Sequence, residues 1–481
     1  DASRRADSLY SIYQGLEQSE NLIEEQQKNA FELLFEILLP SFTEKQAKEL
    51  AKFPTESLDI YATTISLPIA QALSQFNGDI IYLNRLKQLD EAVASSFVQF
   101  KVLEIYLNGV QELDETVAKA LVQFRGPELS LDGVKHIDNI TAKALAQYKG
   151  NLLSLNGVQE IDEAIASNLA QFQGRYLSLN GMQKLDKAVA EALAQYKGLK
   201  LSLNGIQELD KAVAETLAQF QGNRFYLDGM QEIDESVAEA LAQFQCDELY
   251  LNGLQQIDET TAKSIAQFQG SYLSLNGMKK LDEAIASNLA QFQGSELSLN
   301  GIQELDTAVA EIFTQFQGLY LYLNGVKHVD EAVAKALAKA QFDDGICLSL
   351  NGIQQLDETV AKALAQYKGY HLYLDGLQQL DEAVVKALAQ YKGITLSLNG
   401  VKQIDEAVTK ALAQFRGSEL SLDGLKQIDE IIAKALARFQ GLKLYLDGLK
   451  QIDEAVAKTL AQYKGELSTT EKILEQITRF K

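Results

Sequence analysis

Tryptophan is absent from the 481 residues, and proline occurs only four times. The last proline is Pro127, so from there to Lys481 no ring interrupts backbone hydrogen bonding. Cysteine occurs twice, at Cys246 and Cys347, which excludes a disulfide framework. The two belong to repeat units four apart, about 19 Å at the usual strand spacing. A bond would need Cα atoms within about 7 Å. The three histidines, His136, His328 and His371, have no Cys or His neighbour at zinc-ligand spacing. No apolar run approaches about 18 residues, so no membrane-inserted helix is predicted. Positive charge is scarce: 44 Lys and Arg stand against 66 Asp and Glu, a net charge of −22. That argues against a nucleic-acid backbone or an anionic membrane as partner and permits a basic one. It also favours solubility. The chain starts at Asp1 with neither Met nor a signal-type apolar segment, which reads as a processed chain or a cut-out segment. The compartment stays open, with an exported or cell-surface setting ranked ahead of a cytoplasmic one.

What the chain does have is a repeat. Leu201–Gly222 reads LSLNGIQELDKAVAETLAQFQG; Asn223 and Arg224 complete a unit of 24 residues, and the next starts at Phe225. Sixteen copies align on an Asn/Asp-Gly pair, from Asn84-Arg85, the one copy without Gly, to Asp447-Gly448. A fixed period in this range predicts a solenoid. Stacking then extends one core along the chain, where length alone would suggest about three domains.

Within the unit, Leu201 and Leu203 flank an outward Ser202, the period-two alternation of a short strand. Asn204-Gly205 reads as a turn in which Gly takes φ > 0 and Asn serves the turn. Ile206 and Leu209 return to the core. Asp210 has an equivalent in all sixteen units, from Asp90 to Asp453, just before the helical pattern. Its carboxylate is therefore predicted to be an N-cap. Val213, Ala214, Leu217 and Phe220 form the apolar face of a helix of about eleven residues, and Gly222 stops it. Helices pack about 8–10 Å apart and strands about 4.8 Å apart, so the stack bends with the sheet inside. The predicted fold is α/β: a curved β-α solenoid with parallel strands on the concave face and helices on the convex face.

The residue pattern LxLNG, then an apolar residue, then LD and a helix, resembles the leucine-rich repeat. It is most similar to bacterial variants with an LxLNGL…AxxLAxxKG consensus. The resemblance covers about residues 43–465. It departs from the commonest pattern, LxxLxLxxNxL, because the Asn column directly follows the second Leu. The resemblance implies a curved solenoid used for protein recognition, with no catalytic residues to carry over.

Three domains are expected: an N-terminal helical cap at 1–42, a solenoid of about 17 strands at 43–465, counting the strand around Leu58, and a C-terminal capping helix at 466–481. In the first, Ser8–Leu16 and Ser19–Leu39 read as helices. Its alternative roles are docking a partner or joining an upstream domain. At the other end Ser468–Phe480 reads as a helix opened by a Ser-Thr-Thr-Glu capping box. Between Asn324 and Asn351 the period lengthens to 27, around Asp343-Asp344-Gly345. That insertion near 338–346 is a functional loop or a duplication slip.

Chemistry finds little foothold. The Asp column and the Asn/Asp column suggest calcium, but a calcium site needs several oxygens converging within about 2.5 Å. N-caps and turns explain both columns, so no metal and no cofactor is expected. Serines such as Ser154, Ser178 and Ser202 are interchangeable strand residues rather than a nucleophile with a His partner. No phosphate loop is present. The Phe/Tyr column (Phe124, Tyr148, Phe172, Tyr196, Phe220) lies on the apolar helix face and reads as a core spine. Cys246 stands where most units have Gly; it is expected to be partly exposed, although no basic neighbour activates it.

Two columns remain free of the fold. The residue between the strand leucines is almost always Tyr or Ser, and the residue before the first Leu is the most varied. Tyr supplies contact area at low entropy cost and Ser supplies adaptable hydrogen bonds. The candidate partner-binding residues are Arg224, Tyr226, Glu248, Tyr250, Tyr272, Glu296, Tyr320, Tyr322, His371 and Tyr373. The expected function is non-enzymatic: a monomeric module that binds a protein or peptide on its concave sheet. The rival is a structural or surface scaffold that acts by shape and self-assembly, which concentration-dependent scattering distinguishes. A catalytic role would need a domain outside this chain.

Overall fold

A computed structural model describes residues 43–52, 54–339 and 347–481. The expected helices within 1–42, and residues 340–346 of the insertion, lie outside the described residues. The chain divides into two compact units, Asp1–Gly229 and Met230–Lys481.

In the first unit eight three-residue strands pair in chain order, all parallel. They are β1 (Ser57–Asp59), β2 (Ile80–Tyr82), β3 (Glu104–Tyr106), β4 (Glu128–Ser130), β5 (Leu152–Ser154), β6 (Tyr176–Ser178), β7 (Lys200–Ser202) and β8 (Arg224–Tyr226). In the second unit ten strands pair in the same way. They are β9 (Glu248–Tyr250), β10 (Tyr272–Ser274), β11 (Glu296–Ser298), β12 (Tyr320–Tyr322), β13 (Cys347–Ser349), β14 (His371–Tyr373), β15 (Thr395–Ser397), β16 (Glu419–Ser421), β17 (Lys443–Tyr445) and β18 (Glu466–Ser468). Each strand is followed by a helix, so the architecture is a β-α solenoid with one strand and one helix per coil.

The described residues hold one strand more than the 17 expected. The extra strand is β18, which pairs Leu467 with Leu444 at a position the sequence reading assigned to a break before a helix. The last helix begins only at Glu471, and Thr470 makes no side-chain cap, so the expected capping box does not form. This helix buries Ile473 and Ile477 and packs against the helix Glu454–Leu460.

The helices are also shorter than expected. In the unit around Asp210 the helix is Lys211–Leu217, seven residues long. Its last turn tightens to three-residue spacing, with Gln219 N–H donating to Thr216 at 3.2 Å and Phe220 N–H to Leu217 at 3.0 Å. Such a tight turn satisfies terminal carbonyls while folding Phe220 back into the core. Leu201, Leu203, Ile206 and Leu217 are fully buried, whereas Leu209 is only half-buried at the entry to the helix.

All sixteen column aspartates are N-caps, each accepting the backbone N–H three residues on at 2.7–2.9 Å. The Val117 N–H holds the Asp114 carboxyl below its usual range, and the Thr141 and Thr261 N–H groups do the same for Asp138 and Asp258. At Asp357 the Thr359 hydroxyl is the larger cause. A carboxyl whose pKa is depressed by folding adds stability above its unfolded value of about 3.9, and that stability is lost as pH falls through the folded value. The melting temperature is therefore expected to fall steadily as pH drops below about 4. A flat profile in circular dichroism melts would show that the caps contribute nothing.

The aromatic column is a buried stack. Phe124, Tyr148, Phe172, Tyr196 and Phe220 lie ring over ring at 6.2–6.5 Å, and Tyr391, Phe415, Phe439 and Tyr463 at 6.1–6.2 Å. Tyr is tolerated there because its hydroxyl donates to a glycine carbonyl one coil back: Tyr148 to Gly126 at 2.6 Å, Tyr391 to Gly369 at 2.8 Å.

Glycine is required for a different reason than the turn reading supposed. Neither Gly205 nor Gly222 adopts a left-handed φ. A Cβ on Gly205 would lie 2.2 Å from the Asn180 carbonyl oxygen, and one on Gly222 would lie 2.2 Å from the Phe220 ring and 2.5 Å from the Gly198 oxygen. At Gly205 the preceding coil approaches too closely for a side chain, whereas at the Gly222 position Val102 and Cys246 show that the neighbouring groups can shift to admit one.

Candidate recognition face

The first and third residues of each strand point away from the core, since the central residue is buried throughout. They line the outer face of each unit's sheet.

The serines of this face are not exposed, contrary to the sequence reading. Ser130, Ser154, Ser202, Ser274, Ser298, Ser349, Ser397 and Ser421 are all buried, because a small side chain is shaded between strands less than about 5 Å apart. Their protons are already committed. Each hydroxyl donates to the Asn or Asp one coil back, as Ser154 to Asp132 at 2.6 Å, Ser202 to Asn180 at 2.7 Å and Ser298 to Asn276 at 2.8 Å. The same acceptor oxygen takes the backbone N–H of the next column residue, as Asn180 from Asn204 at 2.9 Å and Asn276 from Asn300 at 2.7 Å. The Asn/Asp column is thus a ladder between coils rather than a set of local turns. Ser belongs to that ladder and does not supply adaptable contacts.

The tyrosines behave differently. In the first unit, Tyr226 is half-buried on β8 with the Lys200 ammonium 4.1 Å from its ring centroid, and Arg224 is exposed. The remaining eight candidates lie on β9 to β14 of the second unit. Tyr250 donates to Glu248 at 2.6 Å and its ring packs on Tyr272 at 5.1 Å. Tyr322 donates to Glu296 at 3.1 Å and stacks on Tyr320 at 5.9 Å. His371 stacks on Tyr373 at 6.2 Å, shares a 2.7 Å hydrogen bond with Thr395, and Thr395 in turn donates to Glu419 at 2.8 Å. Burial lowers the His371 pKa against the opposing pull of Glu419, which keeps the imidazole neutral near pH 7. Burial also pushes Tyr373 up to about 12, and burial with Glu296 raises Tyr322. These phenols therefore stay neutral, and Glu248 and Glu296 hold two of them in place.

Two features were missed in the sequence. Leu319 and Tyr370, each 45% exposed, stand just before β12 and β14 and extend the aromatic patch at the strand starts. Tyr370 meets His371 edge-on at 6.5 Å. In the first unit, a hollow of about 200 Å³ opens over β3 to β7, lined among others by Tyr106, Glu128, Asp132, Ser154, Tyr176 and Lys200. The signal was legible: four consecutive strands, β4 to β7, carry Ser between tyrosines at 106 and 226.

Both cysteines are buried. Cys246 is 2% exposed, and burial pushes its thiol up to about 12, which corrects the expectation of a partly exposed thiol. Burial likewise raises Cys347, to about 11, beneath the Tyr320 hydroxyl. Among the described residues no three His, Cys, Asp or Glu groups converge as metal ligands, and no helix is long and apolar enough to cross a membrane.

No protein-family model matches this chain, and no curated protein matches it. Among solved structures, the chain is similar to an internalin of Listeria monocytogenes at 14% identity, over 82% of this chain and 88% of that one, with a TM-score of 0.33. It is similar to TLR13 in its complex with ssRNA13 at 19% identity, over 87% and 65%, with a TM-score of 0.40. It is also similar to a structure of the Drosophila Toll–Spatzle complex at 11% identity, over 87% and 61%, again at 0.40.

Proposed function

We propose that the protein is a non-enzymatic recognition module that binds another protein or a peptide on the outer face of its sheet, through the tyrosine clusters of β9 to β14. The observation that carries this reading is the arrangement of Tyr250, Tyr272, Tyr320, Tyr322 and Tyr373. The rings are half-buried, and two of their hydroxyls are pinned by glutamates. Rings held in this way lose little freedom on binding, so their contact area converts into affinity. Leu319 and Tyr370 add exposed apolar surface beside them. Arg224 and Tyr226 are proposed as contacts on the first unit.

Changing Tyr250 and Tyr322 together to Ser tests the reading. Ser occupies the same column in neighbouring strands, so the fold is expected to survive. Affinity for a partner isolated from the native source is expected to fall by roughly 2 kcal/mol or more, about thirtyfold. Unchanged affinity, with an unchanged melting curve, would sink the proposal.

A further inference from the structure

The hollow over β3 to β7 has a chemistry of its own. Its serine, asparagine and Tyr106 donors are committed to partners within the chain. Ser130 donates to Asn108 at 2.7 Å, Ser154 to Asp132 at 2.6 Å and Ser178 to Asn156 at 2.7 Å. The Asn156 amide donates to Ser154 at 2.8 Å and to Asp132 at 3.2 Å. The Tyr106 hydroxyl, at one wall, donates to Glu104 at 2.8 Å. At the β3–β4 end the lining is the Glu128 carboxylate and the Tyr106 ring, while Asp132 is taken up by Ser154 and Asn156 and the Lys200 ammonium lies at the opposite end, 4.1 Å from the Tyr226 ring centroid.

The acidic end is also short of positive charge. Glu104 and Glu128 are direct neighbours in the β3–β4 register, and among the described residues neither joins an ion pair. Burial, and then the charge of Glu104, hold the Glu128 carboxyl above its usual range. An incoming cation would offset the repulsion between Glu104 and Glu128 and favour the charged form of Glu128. Tyr106 is itself held by stacking on Tyr82 at 4.8 Å, so an aromatic face stands ready beside the two carboxylates. At about 200 Å³ the space is below the range of small-molecule pockets, roughly 300–1,000 Å³, and suits a single long side chain.

We infer that this hollow receives one arginine side chain of a partner peptide, with its guanidinium on Glu128 and against the Tyr106 ring. Arginine has five donors and no acceptor, pairs with a carboxylate through a planar fork and stacks on aromatic faces. The net charge of −22 favours the approach of such a segment. The inference rests on the peptide-recognition reading and adds to it a site on the other unit with a stated partner chemistry.

The test uses the full chain and a blocked heptapeptide of Gly and Ser with one central Arg, titrated by calorimetry. Citrulline in place of Arg keeps the shape and removes the charge, and is expected to bind at least about tenfold more weakly. Glu128→Gln is expected to weaken the Arg peptide by a similar factor. Ser154→Tyr fills the hollow with a residue the column already accepts at 106 and 226, and is expected to abolish binding with the melting curve unchanged. No binding of the Arg peptide, equal affinity for the citrulline peptide, or full affinity in Ser154→Tyr would each overturn the inference. Tyr250→Ser/Tyr322→Ser separates it from the broader reading. The Arg peptide should bind that variant normally; loss there would move the peptide to the second unit, which overturns the hollow and leaves the tyrosine face standing.

Discussion

Replacing Phe292 by Ala is expected to destabilise the second unit by about 3–5 kcal/mol. The ring is fully buried and lies parallel to Phe268 at 6.3 Å, within 5°. Its loss leaves a void that the stack can close only by shifting whole coils against their strand register. In a repeat architecture stability is close to a sum of coil and neighbour terms, so a defect in mid-stack also weakens the coupling between the coils on either side. Guanidinium unfolding followed by circular dichroism should show the lower midpoint, with a second transition where the stack divides. Phe292→Tyr provides the contrast. Tyr391 and Tyr148 show that a hydroxyl in this column finds the carbonyl one coil back, which for residue 292 is Gly270. That change should cost less than about 1 kcal/mol. A loss below about 1 kcal/mol for the Ala variant would mean that the stack is not what holds the coils together.

The second large effect is expected at the ladder. Asn276 accepts from the Ser298 hydroxyl at 2.8 Å and the Asn300 N–H at 2.7 Å, and donates to Ser274 at 2.8 Å. Asn276→Leu removes both acceptor bonds and strands a buried hydroxyl and a backbone N–H. Each such group costs about 1–3 kcal/mol, so a loss of about 2–6 kcal/mol is expected. Asn276→Asp keeps the acceptor oxygen. The chain itself uses Asp132 in this way, accepting from Ser154 and from the Asn156 N–H at 2.9 Å. That variant should stay within about 1 kcal/mol of the native chain. Thermal melts of the two variants decide the matter: equal losses would mean that the ladder acts through side-chain shape and not through its accepted bonds.

The proposed recognition face was only partly legible in advance. Strand alternation located both outward columns, and Tyr250, Tyr322 and Tyr373 do stand on the sheet face. The spacing of Glu248 and Tyr250 held a clue that was not used. Two residues apart on one strand, they share a face, and the structure joins them at 2.6 Å. The Tyr322–Glu296 pair gives no such signal, since its partners are 26 residues apart.

What the sequence by itself determined is whatever depends on near neighbours along the chain. Asp210 caps its helix because the N–H it accepts lies three residues on. Leu201, Leu203 and Phe220 enter the core because the periods of strand and helix aim them there. Only the tertiary structure decided what depends on the next coil. Whether Ser202 is exposed, what Asn180 bonds and why Gly205 admits no side chain are set by atoms 22 to 25 residues away. The unit Leu201–Gly222 does not contain those atoms, and stacking brings them within hydrogen-bond reach. The hollow arises in the same way. Each of its serines is ordinary alone, and three in adjacent strands, Ser130, Ser154 and Ser178, leave a space the size of a side chain.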